Sequence, residues 1–130
     1  MIYIANPEFD AAEKDAVAAV LDSGMVADGE VVRSFESEFA DYCGTDHGIA
    51  TSNGTTALHA TLEALEIGEG DTVLTTPFSF IATANAIRFT GAEPVFADID
   101  PETYNLDPEA AAETAREEDI DAIMTVHLYG

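Results

Sequence analysis

Basic residues are scarce in this sequence: four lysines and arginines stand against 26 acidic residues, and the formal net charge is −22. Phosphate backbones and anionic lipid surfaces would repel such a chain, which argues against nucleic-acid and membrane-surface binding. The acidic residues are spread along the chain. This pattern is typical of a solvated acidic surface, and it also suits a halophilic protein, because high salt screens the self-repulsion of the compact state.

Cysteine and long apolar runs are also scarce. The one cysteine, Cys43, cannot form an internal disulfide, and we expect it at a core or boundary position. No stretch approaches the roughly 20 apolar residues of a membrane span, and the N-terminus lacks the pattern of a signal peptide. We therefore expect a soluble, cytoplasmic protein. Hydrophobic residues make up 47% of the chain, which is typical of a folded domain rather than of a disordered segment.

The hydrophobic pattern predicts strands that alternate with helices after an all-helical start. This alternation favours an α/β domain with a largely parallel sheet. We divide the chain into a helical segment, residues 1–45, and an α/β region, residues 46–130, which we expect to be part of a longer domain because its last strand runs into a loop. The predicted helices cover about 10–22, 31–43, 53–68, 80–89 and 107 onward, and the predicted strands cover 47–52, 72–75, 94–98 and 122–126.

The first candidate site is Ser52–Leu58, where a glycine turn runs from a predicted strand into a predicted helix. The free N–H groups of a first helical turn and the helix dipole favour an anion, and the hydroxyls of Thr55 and Thr56 can add donors. Gly54 lets the backbone approach a ligand closely. A phosphate monoester fits this pattern. The alternative is an ordinary helix cap, since Ser, Asn and Thr are common at that position.

The second candidate site is Thr76–Asn85, where a strand meets a helix through a proline. Ligands of open parallel sheets bind beyond the carboxyl ends of the strands. Phe80 would lie at that edge, where its ring could stack on a flat cofactor. The alternative is that Phe78 and Phe80 are core residues.

Metal binding is not predicted. The acidic and amide residues around the third and fourth predicted strands lack the spacing and the glycine of a calcium loop, and the histidines are too scattered for a zinc site. The residues considered are Asp98, Asp100, Asn105, Asp107, His47, His59 and His127.

Taken together, these segments resemble the DegT/DnrJ/EryC1/StrS family of aminotransferases. The resemblance covers nearly the whole chain, with the motifs in the family's order. It implies a fold-type I enzyme dependent on pyridoxal 5'-phosphate, of which this chain would be the N-terminal part, with part of the large domain. The matching segments are Leu21–Gly29, Phe35–Ala40, Ser52–Leu58, Ile67–Val73, Thr76–Asn85, Gly91–Asp100 and Thr125–Gly130.

The resemblance also implies roles for individual residues. Gly54, Thr55 and Thr56 would hold the cofactor phosphate, and Phe80 would place its ring against the pyridine face. The family's pyridinium-binding aspartate and Schiff-base lysine would lie further along the chain, and Lys14 does not match the lysine motif. No catalytic residue is therefore assigned, and we expect this chain alone to be inactive. Asp98 and Asp100 belong to a different motif, and the roles of Asn85 and His127 stay open.

The implied activity is transfer of an amino group, with glutamate as the expected donor, to a nucleotide-linked keto-sugar in amino-sugar or polysaccharide biosynthesis. A homodimer is the expected state of the full-length parent. Two alternatives remain open: a dehydratase or other lyase of the same fold, and a non-catalytic remnant or regulatory module.

Overall fold

The computed structural model describes residues 5–129, and the chain divides into two compact units with the boundary between Ala50 and Thr51. The first unit contains two helices, α1 (Ala11–Ser23) and α2 (Glu30–Cys43). The second alternates helices and strands, as the sequence predicts. Its elements are α3 (Gly54–Ala64), β1 (Thr72–Thr75), α4 (Ala82–Thr90), β2 (Glu93–Phe96), α5 (Pro108–Glu117) and β3 (Ala122–Ile123).

Local capping sets the ends of α1. The Asp10 carboxylate accepts the Ala12 N–H at 2.7 Å, and Glu13 accepts the Asp10 N–H at 2.8 Å, which completes a capping box. Gly24 ends the helix in the left-handed region, with φ of 72°, where glycine carries no steric cost. The predicted helix over about 10–22 is therefore confirmed, and residues at its own two ends set its length.

The end of α2 departs from expectation at one residue. The helix ends at Cys43, as predicted, with Gly44 as its cap, and Phe35, Phe39 and Tyr42 lie along one side. Cys43 is exposed, so the expected core or boundary position is wrong. Cys43 lies one helical turn after Phe39, on the same side of α2, and that side is itself exposed, since Phe39 and Tyr42 are 52% and 88% exposed.

The segment 47–52 is not a strand, contrary to the prediction. A strand needs a neighbouring strand to which its backbone can hydrogen-bond. The backbone of this segment instead donates a hydrogen bond to a side chain of the first unit. The Glu36 carboxylate accepts the Ala50 N–H at 2.8 Å. Gly48 passes so close to α2 that a Cβ there would lie 2.5 Å from the Glu36 carbonyl oxygen. Glycine is therefore required at this position by close approach.

We expect Gly48→Ala to destabilise the first unit by about 1–3 kcal/mol, because the added methyl group overlaps a backbone oxygen and forces the chain apart. Chemical denaturation followed by circular dichroism measures the change. Gly68→Ala is the matched control, since a Cβ there meets its nearest atom at an ordinary 3.6 Å. Equal stability of Gly48→Ala and the wild type would contradict the close packing of this segment on α2.

A parallel sheet of three strands, in the order β2-β1-β3, forms the centre of the second unit. The predicted parallel α/β architecture is confirmed. β3 is shorter than predicted. Met124 still donates its N–H to the Leu74 carbonyl at 2.8 Å, but β1 ends at Thr75 and the chain turns away at Pro77, so the ladder does not continue along residues 125–126.

Helices cover both faces of this sheet, because successive residues of a strand point to opposite sides. Val73 packs with Leu62 of α3 and Ile87 of α4 on one face. Its neighbour Leu74 packs with Ala111 of α5 on the other face. Within residues 5–129, no helix is both long and apolar enough to cross a membrane.

Candidate functional site

The N-terminus of α3 is capped, but only in part. The Asn53 side chain accepts the Thr56 N–H at 3.0 Å and lies 3.2 Å from the Thr56 hydroxyl. Ser52 extends this network, with its hydroxyl 3.3 Å from that of Thr56. The cap interpretation is therefore correct for one backbone N–H group of the first turn.

Two further N–H groups of this turn stay open. Among residues 5–129, no acceptor lies within hydrogen-bond reach of the Gly54 or Thr55 N–H. Gly54 is exposed, and a Cβ there would meet nothing within 4 Å, so the space beside this residue is free. Unsatisfied N–H groups at a helix N-terminus carry partial positive charge and attract anions. The helix dipole and these donors together make a site for a phosphate-sized anion.

The turn after β1 forms a second part of the candidate site. Thr76 is almost fully buried, and its hydroxyl accepts the Phe78 N–H at 3.2 Å. The hydroxyls of Ser79 and Thr83 lie 2.7 Å apart and join this turn to α4. Phe80 stands out from the turn with 76% of its surface exposed, and Phe78 is 43% exposed. The alternative that these rings are core residues is therefore wrong.

The packing of α3 on α4 brings these two parts to the same end of the unit. The carboxyl ends of the two helices meet, since a Cβ at Gly68 would lie 3.6 Å from the Thr90 carbonyl oxygen and one at Gly91 would lie 3.4 Å from the Glu69 nitrogen. The helices therefore run in the same direction. Their N-termini, with Gly54 on one helix and Phe80 just before the other, both lie toward the opposite end.

That end is the carboxyl edge of the sheet. α3 leads into the start of β1 and α4 into the start of β2, so both helix N-termini lie toward the ends of the strands. This is the edge where parallel sheets bind ligands. Asn85 lies half-buried within α4, and His127 is exposed after β3.

Two groups of residues near this edge were not predicted. The Ser79–Thr83 hydroxyl pair has the i, i+4 spacing of helix neighbours, which the sequence carries as a weak signal. The Asn105 side chain accepts the Leu128 N–H at 3.2 Å. The two residues are 23 positions apart in the sequence, so no local sequence pattern predicts the contact.

Comparison with known proteins places this geometry in a family. Residues 7–130 match the model of the DegT/DnrJ/EryC1/StrS aminotransferase family. GDP-perosamine synthase of Caulobacter vibrioides is 45% identical over 130 residues, which cover 99% of this chain and 35% of that protein. The aminotransferase from Psychrobacter cryohalolentis has a TM-score of 0.88 at 42% identity, over 95% of this chain and 32% of that one.

A third relative was solved with its cofactor. The structure of NtdA from Bacillus subtilis, described with bound cofactor PMP, has a TM-score of 0.81 at 34% identity and covers 90% of this chain and 27% of that one. The chain thus spans about a third of the length of the relatives that it matches.

Proposed function

The chain belongs to the DegT/DnrJ/EryC1/StrS aminotransferase family, and we propose that it is the part of a sugar aminotransferase that binds the cofactor phosphate. The family depends on pyridoxal 5'-phosphate. The observation that carries the proposal is the partly capped N-terminus of α3, where two N–H groups have no acceptor among residues 5–129. We place the cofactor-binding region within residues 46–130.

The residues at this helix end fit a phosphate group. The Gly54 and Thr55 N–H groups would donate to its oxygens, and the Thr55 hydroxyl can add a third donor. The Thr56 N–H is already bonded to Asn53, so Thr56 would contribute through its hydroxyl by exchanging the bond to Asn53 for one to the phosphate. When bound, pyridoxal 5'-phosphate supplies the electron sink for chemistry at the amino-bearing carbon.

Phe80 is the proposed stacking residue. Its exposed ring stands at the same edge as the α3 N-terminus, and a flat pyridine ring stacks favourably on an aromatic side chain. The turn that carries Phe80 is held by the Ser79–Thr83 hydroxyl pair and by the buried Thr76, so the backbone at the ring is fixed by hydrogen bonds.

The remaining catalytic groups are proposed to lie in the part of a family-length protein that this chain does not span. The one lysine, Lys14, lies on α1, in the other compact unit from the α3 N-terminus. We propose that the family-length protein supplies the reactive lysine and the pyridinium-binding aspartate. In that protein the substrates would be a nucleotide-linked keto-sugar and glutamate, and the working state would be a homodimer.

A comparison of two ligands tests the phosphate site. We expect the 130-residue chain to bind pyridoxal 5'-phosphate at least about tenfold more tightly than pyridoxal, which lacks the phosphate, because hydrogen bonds to a charged group each contribute about 1.5–3 kcal/mol. Isothermal titration calorimetry measures both affinities. Equal affinities would show that the phosphate is not recognised here.

Reduction with borohydride tests the assignment of the lysine. We expect no stoichiometric covalent adduct on Lys14 after incubation with pyridoxal 5'-phosphate and reduction, as measured by mass spectrometry of peptides. The matched control is Lys14→Arg, which keeps the charge but cannot react, and which should leave the calorimetric affinity unchanged. A specific, stoichiometric adduct on Lys14 would show that the reactive lysine lies within this chain.

We also propose that the protein works at high salt. The support is the formal net charge of −22, the balance of 26 acidic residues against four lysines and arginines. At high ionic strength this excess is screened and opposes folding less.

A further inference from the structure

The loop between β2 and α5 closes on itself as a small hairpin. Asp98 and Asp107 are joined by a backbone hydrogen bond of 3.0 Å, and Asp100 and Asn105 by one of 2.9 Å. Ile99 and Leu106 form an antiparallel bridge between these two bonds. We call residues Asp100–Asn105, at the tip of this hairpin, the Asp100 turn.

The Asp100 carboxylate organises the turn. It accepts the backbone N–H groups of Glu102 and Thr103 at 2.8 and 2.7 Å. These two bonds stabilise the charged form, and they lower the pKa of Asp100, with the bond from Thr103 the larger cause. The carbonyl of Asp100 accepts the Tyr104 N–H at 2.8 Å. The turn is therefore held by bonds among its own residues, to which the Thr103 hydroxyl adds one by accepting the Asn105 N–H at 3.4 Å.

Tyr104 occupies a backbone conformation that aromatic residues seldom adopt. Its φ is 61°, in the left-handed region, which disfavours any residue with a Cβ. Such a conformation persists only where the surroundings determine it, and it is concentrated at functional sites. Here it directs the Tyr104 ring between two others: the ring centroid lies 5.9 Å from that of Phe78 and 5.8 Å from that of Tyr129.

The Asp100 turn thereby contacts the loops that follow the other two strands. Phe78 belongs to the turn after β1, and Tyr129 belongs to the segment after β3. A second contact reinforces the link to that segment, because the Asn105 side-chain oxygen accepts the Leu128 N–H. Residues 127–129 have no strand partner, and these two contacts join them to the Asp100 turn.

We propose that the Asp100 turn is a positioning element that fixes residues 127–129 at the carboxyl edge of the sheet, with Asn105 acting through Leu128 and Tyr104 through Tyr129. Asn105 and Tyr104 are positioning residues, since they hold other residues at the edge. The importance of this edge for catalysis rests on the proposed function. The positioning of residues 127–129 does not depend on the proposed function, and it can be measured without cofactor.

Hydrogen exchange at one amide tests the Asn105 contact. In Asn105→Leu, which keeps the side-chain size but removes the acceptor, we expect the Leu128 amide to exchange about 2- to 12-fold faster relative to the Leu74 amide of β1, the range for one net hydrogen bond. Asn105→Asp keeps an acceptor oxygen and should restore the wild-type ratio. The proposal would be overturned if the ratio of the Leu128 to the Leu74 exchange rate were unchanged in Asn105→Leu, which includes the case in which both amides exchange faster by the same factor. A raised ratio in Asn105→Asp would also overturn it.

Ring proton shifts of Tyr129 test the Tyr104 contact independently. Tyr104→Asn removes the ring but tolerates a positive φ, so the backbone is not strained further. We expect the Tyr129 ring protons to move toward unstructured values in Tyr104→Asn and to stay near their wild-type positions in Tyr104→Phe, which keeps a ring. Wild-type Tyr129 shifts in Tyr104→Asn would overturn this half of the proposal.

Discussion

Replacing Gly54 by proline is expected to weaken binding of pyridoxal 5'-phosphate by about 10- to 150-fold, with little loss of stability. The substitution removes one N–H group, and a hydrogen bond to a charged acceptor contributes about 1.5–3 kcal/mol. Gly54 is the first residue of α3, and proline is well accepted at that position because its fixed φ suits a helix start.

The surrounding backbone is compatible with this proline. A residue before proline is restricted to extended conformations, and Asn53 already has φ of −170° and ψ of 169°. The chain itself carries a proline at the same position of another helix, Pro108 in α5. The variant therefore deletes a donor without requiring a new fold, and circular dichroism should show the wild-type helix content.

Two further variants separate the loss of the Gly54 N–H group from a general effect of a helix-start proline and from the effect of a larger side chain. Glu30→Pro places a proline at the first residue of α2, after an extended Gly29, and should leave cofactor affinity unchanged. Gly54→Ala keeps the N–H group and adds a methyl group that meets no protein atom within 4 Å, so it measures how closely the ligand approaches. Wild-type calorimetric affinity in Gly54→Pro would place the phosphate away from the N-terminus of α3.

The sequence predicts elements best where their signals are local. The start of α1 follows from Asp10 and Glu13, and the start of α5 follows from Asp107 and Pro108, because each cap is made by residues within one turn. The segment 47–52 shows the opposite case. The segment has the composition of a strand. A strand forms only where a neighbouring strand hydrogen-bonds to it, however, and the residues of the segment do not specify that neighbour.

The features of the candidate site are also predictable only where their signals are local. A helix start at Gly54 follows from the pattern of serine, asparagine, glycine and threonine, yet the pattern does not say that Asn53 takes the Thr56 N–H and leaves two others open. The sequence does not decide the exposure of Phe80 for a similar reason, because an aromatic residue shortly after a proline fits both a core and an edge position. Distant contacts such as Asn105 with Leu128 lie beyond any local pattern.

The expected salt dependence rests on the shortage of ion pairs for the acidic residues. Within residues 5–129, one ion pair joins an arginine to a carboxylate, Arg33 to Asp28 at 3.5 Å, and both side chains are exposed. Exposed pairs of this kind contribute little. Like charges also face each other: Glu113 lies one helical turn from both Glu109 and Glu117 on α5, and such neighbours at i, i+4 destabilise a helix.

We therefore expect the melting temperature to rise by about 10 °C between 0.1 M and 3 M potassium chloride, as the Debye length falls from about 10 Å to below 3 Å. Roughly 2–3 kcal/mol of relieved repulsion produces a shift of that size in a domain of this length. Thermal unfolding followed by circular dichroism measures it. An equal midpoint at both concentrations would contradict the proposed adaptation to high salt.

A pair of double variants on α5 shows whether the shift arises from charge repulsion. Glu113→Gln with Glu117→Gln removes two negative charges near the carboxyl end of the helix, where the dipole already disfavours them. We expect this variant to melt at a higher temperature than the wild type in 0.1 M salt and to gain less from 3 M salt. Glu113→Asp with Glu117→Asp keeps both charges, so its salt-dependent gain should equal that of the wild type. If the glutamine and aspartate variants gained equally from salt, repulsion at Glu113 and Glu117 would not contribute to the shift.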